Sequence, residues 1–153
     1  MKLITTPLLL LFICLTILVP SAMAVQSEEF TRIELDQFIE QQKASLMGRK
    51  KLITMAAPVN FTAKMKRFPE EKEMSYIYEA MRVSGVSPLP EVKHRMFIES
   101  NGGRILPVYV EKATVEKINQ DLKEEQTANF LAYHVYTYSK GPAFLIVDFT
   151  PIK

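Results

Sequence analysis

The stretch that most constrains the fold covers residues 94–110. Two runs rich in β-branched and aromatic residues, 94–100 and 104–110, are joined by Asn101-Gly102-Gly103. An Asn-Gly pair between two such runs is the strongest short-range signal for a β-hairpin. Both faces of this hairpin carry large apolar side chains, so each face is expected to contact a core, another element or a ligand.

The alternation along the first strand of this hairpin predicts which side chains face outward. Arg95, Phe97 and Glu99 alternate with the more apolar Met96 and Ile98. Because successive side chains of a strand point to opposite faces, the first three are expected on the outer face.

The loop length decides which residues of the second strand join Arg95. A three-residue loop, 101–103, places Arg95 opposite Tyr109, whereas a two-residue loop places it opposite Val108. A slip of one residue exchanges the two faces of a strand. Both registers are open at this point, and Tyr109 is a candidate only in the first.

The N-terminus has the layout of a secretory signal peptide. Lys2 precedes an apolar run over residues 8–19, and Ala22-Met23-Ala24 supplies an Ala-x-Ala cleavage site. The run is shorter than the roughly 20 residues of a membrane-spanning helix, so cleavage is favoured over an uncleaved anchor. We therefore expect residues 1–24 to be a signal peptide, with no transmembrane segment after cleavage. Residues 25–153 are expected to form a single globular domain, exported to the periplasm or secreted.

Composition limits how such a domain is stabilised and what it binds. The single cysteine, Cys14, lies within the apolar run, so a mature domain has no disulfide and depends on packing. Without Lys2 the chain carries 18 Lys and Arg (19 minus 1) against 17 Asp and Glu. This balance argues against bulk nucleic-acid or anionic-membrane binding but permits a local charged patch.

Three stretches have the periodicity of helices. Thr31 and Glu34 fit a capping box for an N-terminal helix over residues 32–47, within the segment 25–48. A second helix is predicted over residues 70–83, and Thr114 is expected to cap a short third one.

The remaining stretches alternate with a period of two and predict strands. Residues 51–67 indicate one long strand bent near Ala57-Pro58, or two short strands. Residues 128–138 and 143–149 indicate a second hairpin with its turn at Lys140-Gly141-Pro142. In strict alternation Tyr136 and Tyr138 lie on the opposite face from Tyr133.

The order of these elements predicts a mainly-β α+β fold. A long bent strand, a hairpin, a short helix and a second hairpin follow one another, which is the order of the five-stranded OB-fold. We therefore expect residues 49–153 to form a small OB-like barrel preceded by the N-terminal helix. The helix at 70–83 would be inserted between strands one and two, and the short helix would lie between strands three and four. The rival arrangement is a sheet of two hairpins with helices on one face.

The sequence carries no recognisable catalytic or metal-binding motif. It has no Gly-x-Ser-x-Gly, no His-Glu-x-x-His and no phosphate-binding glycine loop. Neither His94 nor His134 is followed three or four residues later by a second His or a carboxylate. A three-residue turn at 140–142 places His134 opposite Asp148, whereas a two-residue turn places Tyr133 there. Neither register supplies a third ligand, so no metal site and no cofactor are predicted, and a polar cross-strand pair is favoured.

A non-catalytic binding or accessory domain is therefore the favoured function. Its surface is expected on the outer face of the hairpin, with Arg95 and Phe97 central and with Tyr109, Lys64 and Lys66 as further candidates. The partner would be an envelope protein or a small ligand. The alternatives are an exported enzyme that uses His134 and Asp148 as an acid–base pair, and a structural homo-oligomer subunit. The N-terminal helix could also cover the candidate face.

Overall fold

The computed structural model describes residues 29–153, which form one mixed six-stranded sheet and three helices. The helices are α1 (Leu35–Ser45), α2 (Tyr76–Val83) and α3 (Lys112–Asp121). The strands are β1 (Thr31–Arg32), β2 (Lys51–Glu71), β3 (Val92–Glu99), β4 (Ile105–Glu111), β5 (Thr127–Tyr138) and β6 (Gly141–Pro151). The expected mainly-β fold is confirmed. The predicted signal peptide, residues 1–24, lies outside the described residues.

Strand β2 sets the order of the sheet. It is 21 residues long and pairs antiparallel with β5 over most of its length and with β3 at its end. Antiparallel pairs also join β3 to β4 and β5 to β6, whereas β4 and β6 pair in parallel. The two residues of β1 lie parallel to β2 beside Val59 and Asn60.

The bend predicted in this strand is a local irregularity in a continuous element. Between the pairs Ile53–Tyr136 and Ala57–His134, three residues of β2 (54–56) face one residue of β5 (135). The alternative of two separate strands is therefore wrong. Such an insertion bends a strand without ending its pairing.

The first hairpin adopts the three-residue-loop register. Arg95 lies opposite Tyr109, and Phe97 lies opposite Pro107. Gly103 has φ +80°, a conformation that side chains rarely adopt and that the turn requires. Met96 is completely buried, whereas Arg95 and Phe97 are partly exposed. The predicted outward set is confirmed, and Tyr109 belongs to it.

The sheet buries side chains on both faces. A first core joins one face of the long strands to Leu35 and Ile39 of α1 and to Ile118 of α3. A second core packs α2, through Ile77 and Met81, on the opposite face of β5 and β6. Complete burial of one large apolar side chain stabilises the fold by roughly 1.5–3 kcal/mol. All three helices are therefore held against the sheet by packing.

Helix α1 begins later than its sequence signals predict. Glu34 is the N-cap, and its carboxylate accepts hydrogen bonds from the backbone N–H groups of Asp36 and Gln37. Thr31 cannot cap the helix because it belongs to β1. The apolar stripe of α1 packs in the first core with Met96, so the helix covers the core face of the hairpin and not the face of Arg95.

The other two helices also differ at their starts. Helix α2 begins at Tyr76 and not at residue 70, because Glu70 and Glu71 still pair with β3. Helix α3 begins after Glu111, and the Thr114 hydroxyl donates a hydrogen bond to the Val147 carbonyl instead of capping the helix.

The second hairpin has a different register from both predicted ones. Gly141 pairs with Tyr138, so the loop is Ser139-Lys140 and the predicted turn at 140–142 is wrong. His134 lies opposite Phe144, and Asp148 lies opposite Leu131. The predicted His134–Asp148 pair is therefore wrong, because the loop lies earlier in the chain than the predicted turn and two bulges interrupt the register.

Buried His134 should make folding stability depend on pH. It is 3 % exposed, lies against the Phe38 and Phe144 rings, and its Nε2 is 3.0 Å from Thr137 Oγ1. Burial lowers its pKa from 6.5 to about 4. As pH falls the unfolded chain binds this proton first, so stability is complete above pH 6.5 and is lost toward pH 4. The total effect is on the order of 3 kcal/mol.

Urea unfolding of the protein and of H134Q between pH 7 and pH 4.5 measures this effect. The H134Q profile should be flatter, because glutamine does not titrate. Parallel profiles for the two proteins would contradict the assignment.

The contact between α1 and the first hairpin should contribute measurably to stability. The Asp36 carboxylate accepts hydrogen bonds from the Ser100 hydroxyl at 2.6 Å and from the Gly102 N–H at 2.8 Å. The substitution D36A should lower the free energy of unfolding by about 1–3 kcal/mol, since it leaves buried Ser100 without this partner. D121A, at an exposed aspartate, is the control and should change it by less than about 0.5 kcal/mol. Equal effects of the two substitutions in chemical denaturation would refute this role.

Candidate binding site

A cavity of about 360 Å³ lies on the outer face of the β3–β4 hairpin, beside the start of α2. Its aromatic lining is formed by four tyrosines and its charged lining by three cations and one carboxylate. These residues are Tyr76, Tyr109, Tyr136, Tyr138, Lys51, Lys72, Arg95 and Glu73. They come from five separate segments of the chain, and strand pairing brings these segments together.

The tyrosines form one contiguous wall. The hydroxyl oxygens of Tyr109 and Tyr136 are 2.6 Å apart and share a hydrogen bond. The Tyr76 ring meets the Tyr136 ring edge-on, with centroids 5.1 Å apart. The centroids of the Tyr136 and Tyr138 rings are 6.0 Å apart. Tyr136 is only 6 % exposed and belongs to the second core, so the wall is anchored by packing.

A bulge in β5 places two of these tyrosines on the cavity side. Between the pairs His134–Phe144 and Tyr136–Ala143, β5 has the extra residue Val135. One extra residue reverses the alternation of all later side chains in a strand. Tyr133, Tyr136 and Tyr138 all contact the second core, so the expected placement on opposite faces is wrong.

The cations of the cavity differ in their partners. The Lys51 ammonium lies 3.6 Å from the centroid of the Tyr76 ring. The Arg95 guanidinium pairs with Glu70 at 2.5 Å and lies 4.9 Å from the centroid of the Phe97 ring. Its Nε is buried and has no hydrogen-bond partner among residues 29–153. Exposed Lys72 adds a third positive charge at the rim.

Burial raises the pKa of three phenols of the cavity. Desolvation raises the pKa of Tyr136 far above its usual range, and the hydrogen bond with Tyr109 adds to this. Burial also raises the pKa of Tyr138, and burial together with the charge of Glu79 raises the pKa of Tyr76. At neutral pH these hydroxyl groups therefore act as hydrogen-bond donors and acceptors without charge.

The structure separates the candidate residues into two groups. Arg95 and Tyr109 line the cavity, and Phe97 lies beside it, with the Arg67 guanidinium 5.2 Å from its ring centroid. Lys64 and Lys66 both form ion pairs with Glu99 and Glu125 and do not line the cavity. Their expected role as a basic rim is therefore not supported, because these carboxylates neutralise them.

Sequence reasoning did not find Lys51, Lys72, Tyr76, Tyr136 or Tyr138 as site residues. The sequence does contain one signal, because three tyrosines lie within residues 133–138 of β5. Strict alternation hides that signal because it ignores the bulge at Val135.

Other chemistries have little support among the described residues. Within residues 29–153 no three His, Cys, Asp or Glu side chains lie close enough to hold a metal ion together. None of the three helices in that range has the length and apolar character needed to cross a membrane. Asp148 pairs with Lys117 at 2.5 Å and His134 is buried, so the two do not form an acid–base pair.

No protein-family model matches the chain, and it has no significant sequence similarity to a curated protein.

Tyr76, Tyr136 and Tyr138 should titrate above the ordinary range of a phenol. The chain has six tyrosines, and the pKa values of Tyr76, Tyr136 and Tyr138 are raised. A spectrophotometric titration at 295 nm should therefore show at most three phenols ionising near pH 10. The others should ionise only at higher pH or when the protein unfolds. Ionisation of all six near pH 10 in the folded protein would contradict this wall of buried phenols.

Proposed function

We propose that this protein is an exported, non-catalytic binding module with an OB-like barrel, and that its ligand occupies the tyrosine cavity. The order of strand pairing supports the barrel. The strands follow the order β2-β3-β4-β6-β5, and β2 pairs with β5 as well as with β3. Each of these five strands therefore has a partner among them on both sides. The parallel β4–β6 pair and the position of α3 between β4 and β5 are consistent with the OB-fold order.

The position of the cavity is the observation that carries the binding proposal. OB-folds bind ligands across their second and third strands, flanked by the connections between strands one and two and between strands four and five. Here these strands would be β3 and β4, which contribute Arg95 and Tyr109. The flanking connections contribute Lys72 to Tyr76 on one side and Tyr138, next to the β5–β6 turn, on the other.

The open hairpin face also supports a binding function. Helix α1 packs on the core side, and the second core leaves Arg95 and Tyr109 partly exposed beside α2. A cavity with aromatic walls and a few convergent polar groups is the usual form of a small-ligand site. Export rests on the signal-peptide pattern of residues 1–24. The non-catalytic assignment is supported by the separation of His134 from Asp148.

Amide chemical-shift mapping with a panel of chemically different probes tests this proposal. The panel contains a neutral oligosaccharide, an acidic oligosaccharide, a short single-stranded oligonucleotide and an acidic peptide, each at millimolar concentration. At least one probe should cause saturable shifts at Arg95, Tyr109 and Tyr138. Tyr109→Phe and Arg95→Ala should weaken that binding, whereas Lys50→Ala, an exposed neighbour outside the cavity, should not.

Two results would overturn the proposed function. One is a panel in which no probe shifts these amides. The other is a set of shifts that all map to another surface, such as the groove beside Met55 and Pro88. Light scattering on the same samples would reveal the alternative of a homo-oligomer, in which the hairpin face is occupied by a second copy.

A further inference from the structure

We infer that the ligand of the tyrosine cavity is an acidic oligosaccharide, an inference that rests on the proposed function. Its first support is the sign of the charge. Three cations, Lys51, Lys72 and Arg95, line the cavity, whereas the opposing carboxylates are Glu73 in the lining and Glu70, which pairs with Arg95, so the net charge is +1 (3 minus 2). An anionic group that enters the cavity is therefore attracted.

The arrangement of Lys51 argues against a cationic ligand. Four tyrosines around one cavity resemble the aromatic cages that bind quaternary ammonium groups. Here, however, the ammonium of Lys51 itself lies over the Tyr76 ring at 3.6 Å. The charges of Lys51 and Lys72 would repel a cationic ligand, and Lys51 already occupies the face of Tyr76 that such a ligand would contact.

Two of the three cations are available for a ligand carboxylate. Arg95 is paired with Glu70. Lys51 and Lys72 form no ion pair with any residue of the described range 29–153, and both are exposed. A compact ammonium suits a carboxylate without the fixed bidentate geometry that an arginine imposes.

The rings are arranged for hydroxyl groups and not for stacked bases. Successive bases of a single strand stack on exposed aromatic faces. The contacting rings of this cavity are inclined to each other by 48° to 86°, Tyr136 is buried, and Lys51 covers one face of Tyr76. The neutral hydroxyl groups of the tyrosines and the carboxylate of Glu73 instead accept hydrogen bonds. A sugar supplies hydroxyl donors to these acceptors, whereas a phosphodiester backbone has none.

The size of the cavity fits a short segment of such a chain. Its volume of about 360 Å³ lies near the lower end of the range for small-ligand sites, roughly 300–1,000 Å³. One or two sugar rings with their carboxylates would fill it.

Titration with three probes of similar length tests the inference. The probes are tetragalacturonate, the neutral cellotetraose and a four-residue thymidine oligonucleotide. The chain has no tryptophan and four of its six tyrosines line the cavity, so tyrosine fluorescence reports occupancy directly. Tetragalacturonate should bind at least about tenfold more tightly than cellotetraose, and its affinity should fall as salt is added.

Matched lysine variants locate the charge contribution. Lys51→Ala and Lys72→Ala should each weaken tetragalacturonate binding by about fivefold, the effect expected for one largely exposed charge pair. Lys50→Ala removes the same charge one residue away from Lys51, outside the cavity, and should leave the affinity unchanged. All three lysines are exposed, so the three variants should have the same melting temperature as the unsubstituted protein.

Each contrary outcome has a separate meaning. Equal or tighter binding of cellotetraose or the oligonucleotide, with shifts at Tyr109, overturns the acidic-sugar inference and leaves the proposed binding function intact. Equal effects of Lys50→Ala and Lys51→Ala overturn the charge argument and with it the inference. Absence of any change at the cavity tyrosines with all three probes and with the wider panel overturns both.

Discussion

The pairing of β2 with two different strands is the constraint on which the rest of the structure depends. Its 21 residues reach from the end of β5 to the start of β3. Alternate side chains, among them Phe61 and Met65, enter the first core and hold the strand in one register. Since β2 begins beside Tyr138 and ends beside His94, it brings β5 and β3 to the same cavity although they are far apart in sequence.

Helices α1 and α2 pack on opposite faces of the sheet. Helix α1 fills the core side and is held against the hairpin turn by Asp36, which is so close to Gly102 that an added Cβ would lie 2.9 Å from its Oδ1. Helix α2 covers part of the opposite face through Ile77 and Met81. Neither helix fully covers Arg95 and Tyr109. The partly exposed side chains of these two residues form part of the cavity wall.

Local signals predicted most elements of this fold, but only Arg95 and Tyr109 of the eight aromatic and charged residues that line the candidate site. Asn101-Gly102-Gly103 predicted the first hairpin, and alternation predicted that Arg95 points outward. Alternation failed in β5, where Val135 is an extra residue that no local signal marks. Helix starts were also misplaced, because the pairing of Thr31 and Glu70 with neighbouring strands overrides their local preference for a helix.

The sequence by itself determined the mainly-β class, the first hairpin with its two candidate registers, and the set of residues able to act as aromatic or charged ligands. These properties depend on neighbours within a few positions of the chain. Only the tertiary structure decided the register, the bulge and the partners of each charge. Lys66 is neutralised by Glu125, and Lys51 is left over Tyr76, because of contacts between residues far apart in sequence. Packing of the two cores selects those contacts, and no local pattern encodes them.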